Sequence, residues 1–292
     1  MSTVKLNTLP APTFSWLGVN DIQADVGALD NGTYALDNGS CTEVLSGGAY
    51  EITAQGGEIR EAVMFISPND SAQVSTTVKA GGSSAVRLVQ VFDGKAQTVS
   101  SVKALLEDDA GFELVQLYLG TGSTISEIDT QLGGRKSEFT ANIGYLLGGD
   151  DKLDINLIAR HLGKKTKSQI TAKGVMNDSA QKTFKGTIDF VSGSAGASGA
   201  ENEDVLLIGE KVVNKTVPLI LCAEEDVEGS HGASIGRVDE EHIFYMQSRG
   251  LPQEKIVQLM AQSKIAQIVN TIADEQVRAR INNKIGRGKD DE

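Results

Sequence analysis

The chain has 292 residues, of which 40% are apolar, so it can bury one large core or two of ordinary size. Its formal net charge of −12 opposes binding to the phosphate backbone of nucleic acid and to an anionic membrane surface. The N-terminus lacks the long apolar stretch of an export signal, and no run of about eighteen apolar residues occurs. We therefore expect a cytoplasmic protein that binds neither nucleic acid nor membrane.

The two cysteines, Cys41 and Cys222, limit the metal chemistry that one chain can support. They are too few for a four-cysteine zinc site or for an iron–sulfur cluster held by four thiolates. A cluster bound here would need other ligands or a second chain.

The middle of the chain has the pattern of many short β-strands. Glycine is frequent, at 32 residues, and proline is rare, at 5, which suits strands joined by turns of Gly, Asn and Asp. Apolar runs that predict strands begin at Val86, Phe112, Lys152, Phe184 and Val217.

Two of these runs predict how the strands are covered. The run from Phe184 to Phe190 alternates with polar residues such as Lys185, which is typical of a half-buried strand. The run from Lys152 has apolar residues on both faces of the strand, so we expect it to be covered on both sides.

The glycine-rich run from Ser192 lacks the Lys-Ser/Thr ending of a phosphate-binding loop. We interpret it as a flexible connection and expect no nucleotide on this chain.

Helical signals appear in the last sixty or so residues of the sequence. Acidic residues 239–241 suit a helix N-terminus, and Gly250 suits a left-handed C-terminal cap. Pro252 can open a second helix, after which apolar residues recur at helical spacing. The sequence therefore predicts a β core domain of residues 1–236 and a C-terminal helical domain of residues 237–292.

Potential metal ligands crowd a short stretch before the helices. Cys222, Glu228 and His231 lie within ten positions of one another, among further acidic residues. Thiolate, imidazole and carboxylate together suit iron or zinc. A solvated acidic loop with an incidental histidine explains the stretch equally well, so both interpretations stay open.

The spacing within this stretch restricts a shared site. In a straight strand Cys222 and His231 would lie on opposite faces, about 30 Å apart at about 3.3 Å per residue. A joint site therefore requires a bend or a neighbouring chain. Gly229 and Gly232 are the residues that could supply the bend.

The same stretch resembles a known family. The run EEDVEGSHGASIGRVDEEHIFYMQSRGLPQEKI, residues 224–256, closely resembles the C-terminal signature of the SufB/SufD family of iron–sulfur cluster assembly proteins. The block KSQITAKGVMNDSAQKTFKGTIDF from Lys167 and the segment LPAPTFSWLGVN near the N-terminus are similar to two further family motifs. The S-H-G form at residues 230–232 is similar to the SufD type, whereas SufB-type members have E-H-E there.

The resemblance implies a mainly β protein with a right-handed parallel β-helix core and a C-terminal α-helical region. It implies a scaffold subunit, rather than an enzyme, that binds an iron–sulfur cluster transiently. Its implied partners are a SufC-like ABC ATPase and a SufB-like or identical subunit that forms a dimer with it. Because the chain is short and lacks the N-terminal helical region of many relatives, a SufD-type role and a minimal SufB-type role both stay open.

The resemblance also assigns candidate residues. His231 becomes the candidate cluster ligand at the subunit interface, with Cys222 as the second choice and Glu228 as a further metal ligand. Gly229 stands where some SufD-type members have cysteine. The ATPase is expected to dock on residues 239–251. The docking residues within that range are Phe244, Tyr245, Arg249 and Gly250.

Two functions of other kinds stay open at this stage. One is a metal-dependent enzyme of the acidic loop, for instance a cupin-like β protein, although the His-x-His pair of a cupin is absent from the sequence. The other is an architectural partner that stabilises a SufB-like subunit and never contacts the cluster. The count of two cysteines is compatible with that role.

Overall fold

The computed structural model of the protein describes residues 2–13, 15–26, 32–238 and 240–286. A hairpin of β1 (Ser2–Leu6) and β2 (Ile22–Val26) precedes a body of two sheets with eight strands each. One sheet, the odd wall, contains β3 (Thr33–Ala35), β5 (Gly48–Ala54), β7 (Ala72–Ala80), β9 (Thr98–Leu106), β11 (Ser123–Leu132), β13 (Lys152–His161), β15 (Gln181–Phe190) and β17 (Val213–Cys222). The other, the even wall, contains β4 (Ser40–Val44), β6 (Ile59–Ile66), β8 (Ala85–Phe92), β10 (Gly111–Leu119), β12 (Glu138–Leu147), β14 (Lys167–Met176), β16 (Ala197–Leu207) and β18 (Val227–Arg237).

The two walls form a parallel β-solenoid. Each strand pairs in parallel with the strand two places along the chain, so one turn contributes one strand to each wall. Residues that stack in successive turns are 26 positions apart at Ser75 and Ser101 and 29 apart at Arg160 and Asp189. This architecture confirms the expected fold class, a mainly β protein with a parallel β-helix core.

The strand predictions agree with the structure except at the glycine-rich run. The five apolar runs coincide with β8, β10, β13, β15 and β17. The run from Ser192 is only partly a connection, because its residues from Ala197 onward begin β16. A Cβ atom on Gly199 would lie 2.7 Å from the Ile188 side chain, so glycine is required there for the two walls to approach.

The interior between the walls is packed with alternate side chains of each strand. Its large members include Phe112, Phe139 and Tyr145, all fully buried. His161 also lies in this interior, where it is fully buried. Its Nδ1 lies 2.7 Å from the hydroxyl oxygen of Thr166, and burial lowers its pKa to about 4. It is therefore a structural residue.

The N-terminal segment covers the outer face of the odd wall near its end. Leu9 and Val19 pack there against Val217 of β17. Lys185 is fully buried beneath the segment, where its Nζ donates to the Asn7 carbonyl at 3.1 Å. The prediction that β15 is half-buried is therefore wrong, because a chain segment distant in sequence covers its outer face.

Three C-terminal helices follow the solenoid and confirm the expected helical region: α1 (Glu240–Ser248), α2 (Gln253–Val269) and α3 (Glu275–Gly286). Helices α2 and α3 pack on the outer face of the even wall, in one apolar cluster with strands β6, β8 and β10. A Cβ atom on Gly144 would lie 3.3 Å from Ile265, so this glycine allows α2 to pack closely on β12. Among the helices of the described residues, none has the length and apolar character to cross a membrane.

Candidate functional site

The last turn of the solenoid is highly exposed. Within the described ranges β17 pairs only with β15, and β18 pairs only with β16, so both leave one backbone edge open. Ten of the eleven residues of β18 are exposed, and Ile235 retains 50% of its accessible surface. An open strand edge with exposed apolar side chains is a surface on which another strand can pair.

The chain turns between Cys222 and His231, so the two residues do not lie on one straight strand. Strand β17 ends at Cys222, β18 begins at Val227, and the two strands belong to opposite walls. Gly229 and Gly232 do not form the bend, because both lie inside β18. Instead, Gly229 lets the last strand approach the opposite wall, since a Cβ there would lie 3.0 Å from the Phe190 ring.

Cys222 and His231 face the same interior, which corrects the opposite faces expected from their parity. Cys222 is the register partner of the buried Phe190, and His231 is the register partner of the buried Glu201. Register partners point to the same side of a sheet. Both candidates therefore line the open end of the interior between β17 and β18, which we call the mouth of the solenoid.

Cys222 and His231 lie at different positions along the strands that form the mouth. Gly229 lies opposite Ile220, which places Cys222 level with Val227. His231 is four residues further along β18, or about 13 Å at about 3.3 Å per residue. The thiol and the imidazole of one chain therefore do not meet on the same iron atom.

Cys222 and Glu228 have distinct surroundings. The Cys222 thiol is exposed, and its S–H donates to the Glu224 carbonyl at 3.1 Å. Glu228 alternates with the inward-facing Gly229 and is exposed. It lines a groove of about 410 Å³ across the first residues of β12, β14, β16 and β18.

The acidic turn before β18 has a structural function of its own. The Glu224 carboxylate accepts a hydrogen bond from the backbone N–H of Gly193 at 2.9 Å. That hydrogen bond, together with one from the Glu225 N–H, lowers the pKa of Glu224. This carboxylate thus joins two neighbouring turns of the solenoid.

A buried group of polar and charged side chains lies just inside the mouth. The Glu203 carboxylate pairs with Lys182 and accepts hydrogen bonds from Tyr145 at 2.9 Å and Thr216 at 2.6 Å. Lys182 and Glu203 are both almost fully buried. Burial lowers the pKa of Lys182, and burial followed by the charge of Glu203 raises that of Tyr145.

Glu201 lies in the same interior but lacks such partners. It is 3% exposed, and its Oε2 atom has no hydrogen-bond partner among the described residues. Burial, and then the neighbouring charge of Glu203, raise the pKa of Glu201 to about 8. A carboxyl group in this environment is mostly protonated at neutral pH.

The burial of these charges is not evident from the local sequence. Residues 201–204 read E-N-E-D and therefore have the composition of a solvated acidic segment. The signal that could have identified them is parity, because Glu201 and Glu203 share their side of the strand with the buried Val205.

No group of three or more His, Cys, Asp or Glu side chains within the described ranges could hold a metal ion. The mouth nevertheless presents donors of three kinds, the imidazole of His231, the thiol of Cys222 and the carboxylate of Glu201. Imidazole, thiolate and carboxylate are all known iron ligands, so this donor set fits iron chemistry.

The exposed aromatic residues of α1 form a second candidate site. Phe244 retains 73% of its accessible surface, and the Arg249 guanidinium lies 5.2 Å from the centre of the exposed Tyr245 ring. Gly250 has the positive φ expected of a helix C-terminal cap. Asp239, the first residue of the predicted docking range, lies outside the described residues.

Comparison with known proteins agrees with the family motifs in the sequence. Residues 59–264 match the family model described as SUF system FeS cluster assembly, SufBD core domain. The chain is 31% identical over 179 residues to SufD of Bacillus subtilis, which covers 61% of this chain and 41% of that protein. It is 27% identical over 183 residues to SufD of Escherichia coli, covering 63% and 43% of the two chains. It is 24% identical over 190 residues to SufB of Bacillus subtilis, covering 65% and 41%.

All three relatives are named as iron–sulfur cluster assembly proteins, and the chain matches less than half the length of each. The family model spans more than half of the chain and includes β6 to β18 with the greater part of α2. The chain therefore belongs to the SufBD family of the SUF iron–sulfur cluster assembly system.

Proposed function

We propose that this protein is a non-enzymatic scaffold subunit of a SUF-type complex, on which an iron–sulfur cluster is assembled at the last turn of the solenoid. The observation that carries the proposal is the position of His231. It is exposed, lies on an open edge strand and faces the interior at the mouth. The cluster is the cargo of this scaffold and leaves it after assembly.

The chemistry of the mouth supports a transient cluster. Imidazole nitrogen is an established ligand of iron in clusters, and it binds there in place of thiolate. One chain offers two cysteines in total, so it cannot hold a cluster by four thiolates. A cluster held with few thiolates is suited to transfer to a recipient that offers more of them.

A second subunit completes the proposed site. The open edges of β17 and β18 lie at the mouth, and strand pairing with an identical or SufB-like subunit would satisfy their backbone groups. Such pairing would enclose His231 between the two subunits. A two-fold axis there would bring two copies of the ligands together.

Cys222 and Glu228 have lesser roles in the proposal. The Cys222 thiol is exposed at the same mouth, about 13 Å along the strands from His231, so it would bind a different iron atom. Glu228 faces the outer groove, so it would bind iron only before the iron enters the mouth.

Helix α1 is the proposed docking site for a SufC-like ABC ATPase. Phe244 and Tyr245 offer apolar contact area beside the guanidinium of Arg249, a combination that is frequent among residues dominating protein interfaces. Gly250 ends the helix and lets the chain turn toward α2. Energy for assembly would then come from ATP bound by the partner.

Anaerobic reconstitution with iron, sulfide and the ATPase tests this function. We expect His231→Ala to lose most of the visible cluster absorbance while it still co-purifies with its partners, and Cys222→Ala to lose part of it. Ser230→Ala, an exposed neighbour in β18, is the control and should match wild type. If His231→Ala and Cys222→Ala both retain wild-type absorbance, the chain is an architectural partner and the cluster is assembled elsewhere.

A further inference from the structure

One row of interior positions on the even wall changes its chemistry at the mouth. The row follows the register from β8 to β18, one residue per strand. Its members are Leu88, Leu114, Ala141, Ile170, Glu201 and His231. Four aliphatic residues are thus followed by a carboxylate and an imidazole in the last two strands, at the end where the solenoid is open.

The Glu201 carboxylate occupies a space that the fold keeps free for it. Gly186 faces it from the opposite wall, and a Cβ atom on this glycine would lie 2.3 Å from Oε2 of Glu201. Any side chain at residue 186 would therefore displace the carboxylate. The space is interior rather than surface, since Glu201 is 3% exposed.

Glu201 differs from its neighbour Glu203 in how its oxygens are used. Glu203 has Lys182, Tyr145 and Thr216 as partners, which satisfy both of its oxygens. Oε2 of Glu201 has no partner in the part of the chain that the structure describes. A buried carboxylate oxygen without a partner calls for an explanation, and a bound ion is one of the explanations known for such atoms.

We propose that Glu201 is a second iron ligand of the scaffold site, an oxygen donor that binds iron beside His231. This inference rests on the proposed function of the mouth. Adjacent parallel strands are about 4.8 Å apart, so two register partners that face the same side can reach one iron or two neighbouring irons. When iron binds, the Glu201 carboxyl group would release its proton to solvent, and the iron would become the partner that Oε2 lacks.

The pairing of these donors has a consequence for the cargo. Bridging sulfide supplies at least half of the ligands of each iron in a cluster, so a pair of protein ligands can anchor one face of the cluster. A carboxylate oxygen is a harder ligand than a thiolate and is less favoured by iron–sulfur centres. A recipient protein that offers thiolates can therefore displace Glu201 and remove the cluster.

Cobalt(II) binding to the full-length protein tests the inference without a cluster and without the ATPase. Cobalt(II) replaces iron(II) at nitrogen and oxygen ligands, and its visible spectrum responds to the ligand set. The variants are Glu201→Gln, which keeps the size of the side chain, and Glu201→Asp, which keeps the carboxylate but shortens the side chain by one methylene group. The control is Glu113→Gln, which removes a carboxylate from the outer face of β10, away from the mouth.

We expect Glu201→Gln to weaken cobalt binding at least ten-fold, Glu201→Asp to weaken it at least three-fold, and Glu113→Gln to change it less than two-fold. Wild-type affinity and spectrum in either folded Glu201 variant overturn the inference. If only His231→Ala loses cobalt, the proposed function stands and Glu201 is a structural acid. If His231→Ala also binds as wild type, the proposed site itself is wrong.

Discussion

The ring of Tyr145 lies directly over Gly174, its register partner in the next turn. A Cβ atom on Gly174 would lie 1.8 Å from a carbon of that ring. The glycine therefore gives the ring its space, and the Tyr145 hydroxyl can donate to Glu203 at 2.9 Å. A residue without a side chain thus positions the buried polar group at the mouth.

Replacing Gly174 should destabilise the solenoid. In Gly174→Ala the new methyl group forces the Tyr145 ring out of its place, and overpacking of this kind typically costs about 1–3 kcal/mol. Urea denaturation measures the change in the free energy of unfolding. Gly111→Ala is the matched control, because a Cβ on Gly111 has no heavy atom within 4 Å. Equal stability of the two variants would contradict this packing.

The buried ion pair of Lys182 and Glu203 should be strongly coupled. Lys182→Met leaves Glu203 charged and buried without its counter-ion, a change that typically destabilises a protein by about 3–5 kcal/mol. Adding Glu203→Gln in the double variant should recover more than half of that loss, because both charges are then gone.

The control for these variants is the exposed ion pair of Lys167 and Glu138, whose charged atoms are 3.2 Å apart. Lys167→Met should change the free energy of unfolding by less than about 1 kcal/mol. A double variant of Lys182 and Glu203 that is no more stable than Lys182→Met would show that the pair is not coupled.

The sequence was informative where periodicity reflects burial within one element. The runs at β8, β10, β13, β15 and β17 predicted strands, since β-strands in a core are read from local apolar pattern. The cover over Lys185 was not predictable in this way, because it comes from the N-terminal segment, which is distant in sequence.

The same reason explains which parts of the site were missed. His231 was identified from its motif and its neighbours in sequence. Glu201 was not, because a carboxylate in an acidic segment normally faces water, and its burial depends on Gly186 of another turn. The turn before Val227 was also missed, so Cys222 was placed on the wrong side relative to His231.

His161 should make the stability of the fold fall in acid. Its pKa is lowered to about 4 by burial, whereas in the unfolded chain it has the ordinary value of about 6.5. The unfolded chain therefore binds the proton first, and stability falls as pH decreases from about 6.5 to about 4.

The expected size of this effect follows from the two pKa values. Between about pH 7.5 and about pH 4.5 this residue should account for about 2.5 kcal/mol of lost stability. In His161→Gln the loss over the same interval should be smaller by that amount, as measured by urea denaturation at both pH values. An unchanged pH dependence in the variant would contradict the assignment.

The docking proposal predicts that α1 determines ATPase binding. Changing Phe244 and Arg249 together to Ala should weaken binding of the ATPase by about 2 kcal/mol or more, about 30-fold, without a change in fold. Ile59→Ala is the control, since Ile59 is 76% exposed and lies on β6, near the opposite end of the solenoid. Wild-type affinity of the double variant, measured by calorimetry, would place the docking surface elsewhere.

The most direct test of the central claim is pulsed electron paramagnetic resonance of the reduced, anaerobically reconstituted complex. An imidazole ligand gives the cluster a strong hyperfine coupling to ¹⁴N, which thiolate and carboxylate ligands do not give. The account predicts that this coupling is present in wild type, present in the Ser230→Ala control and absent in His231→Ala. A cluster with the same nitrogen coupling in His231→Ala, or with none in wild type, would contradict it.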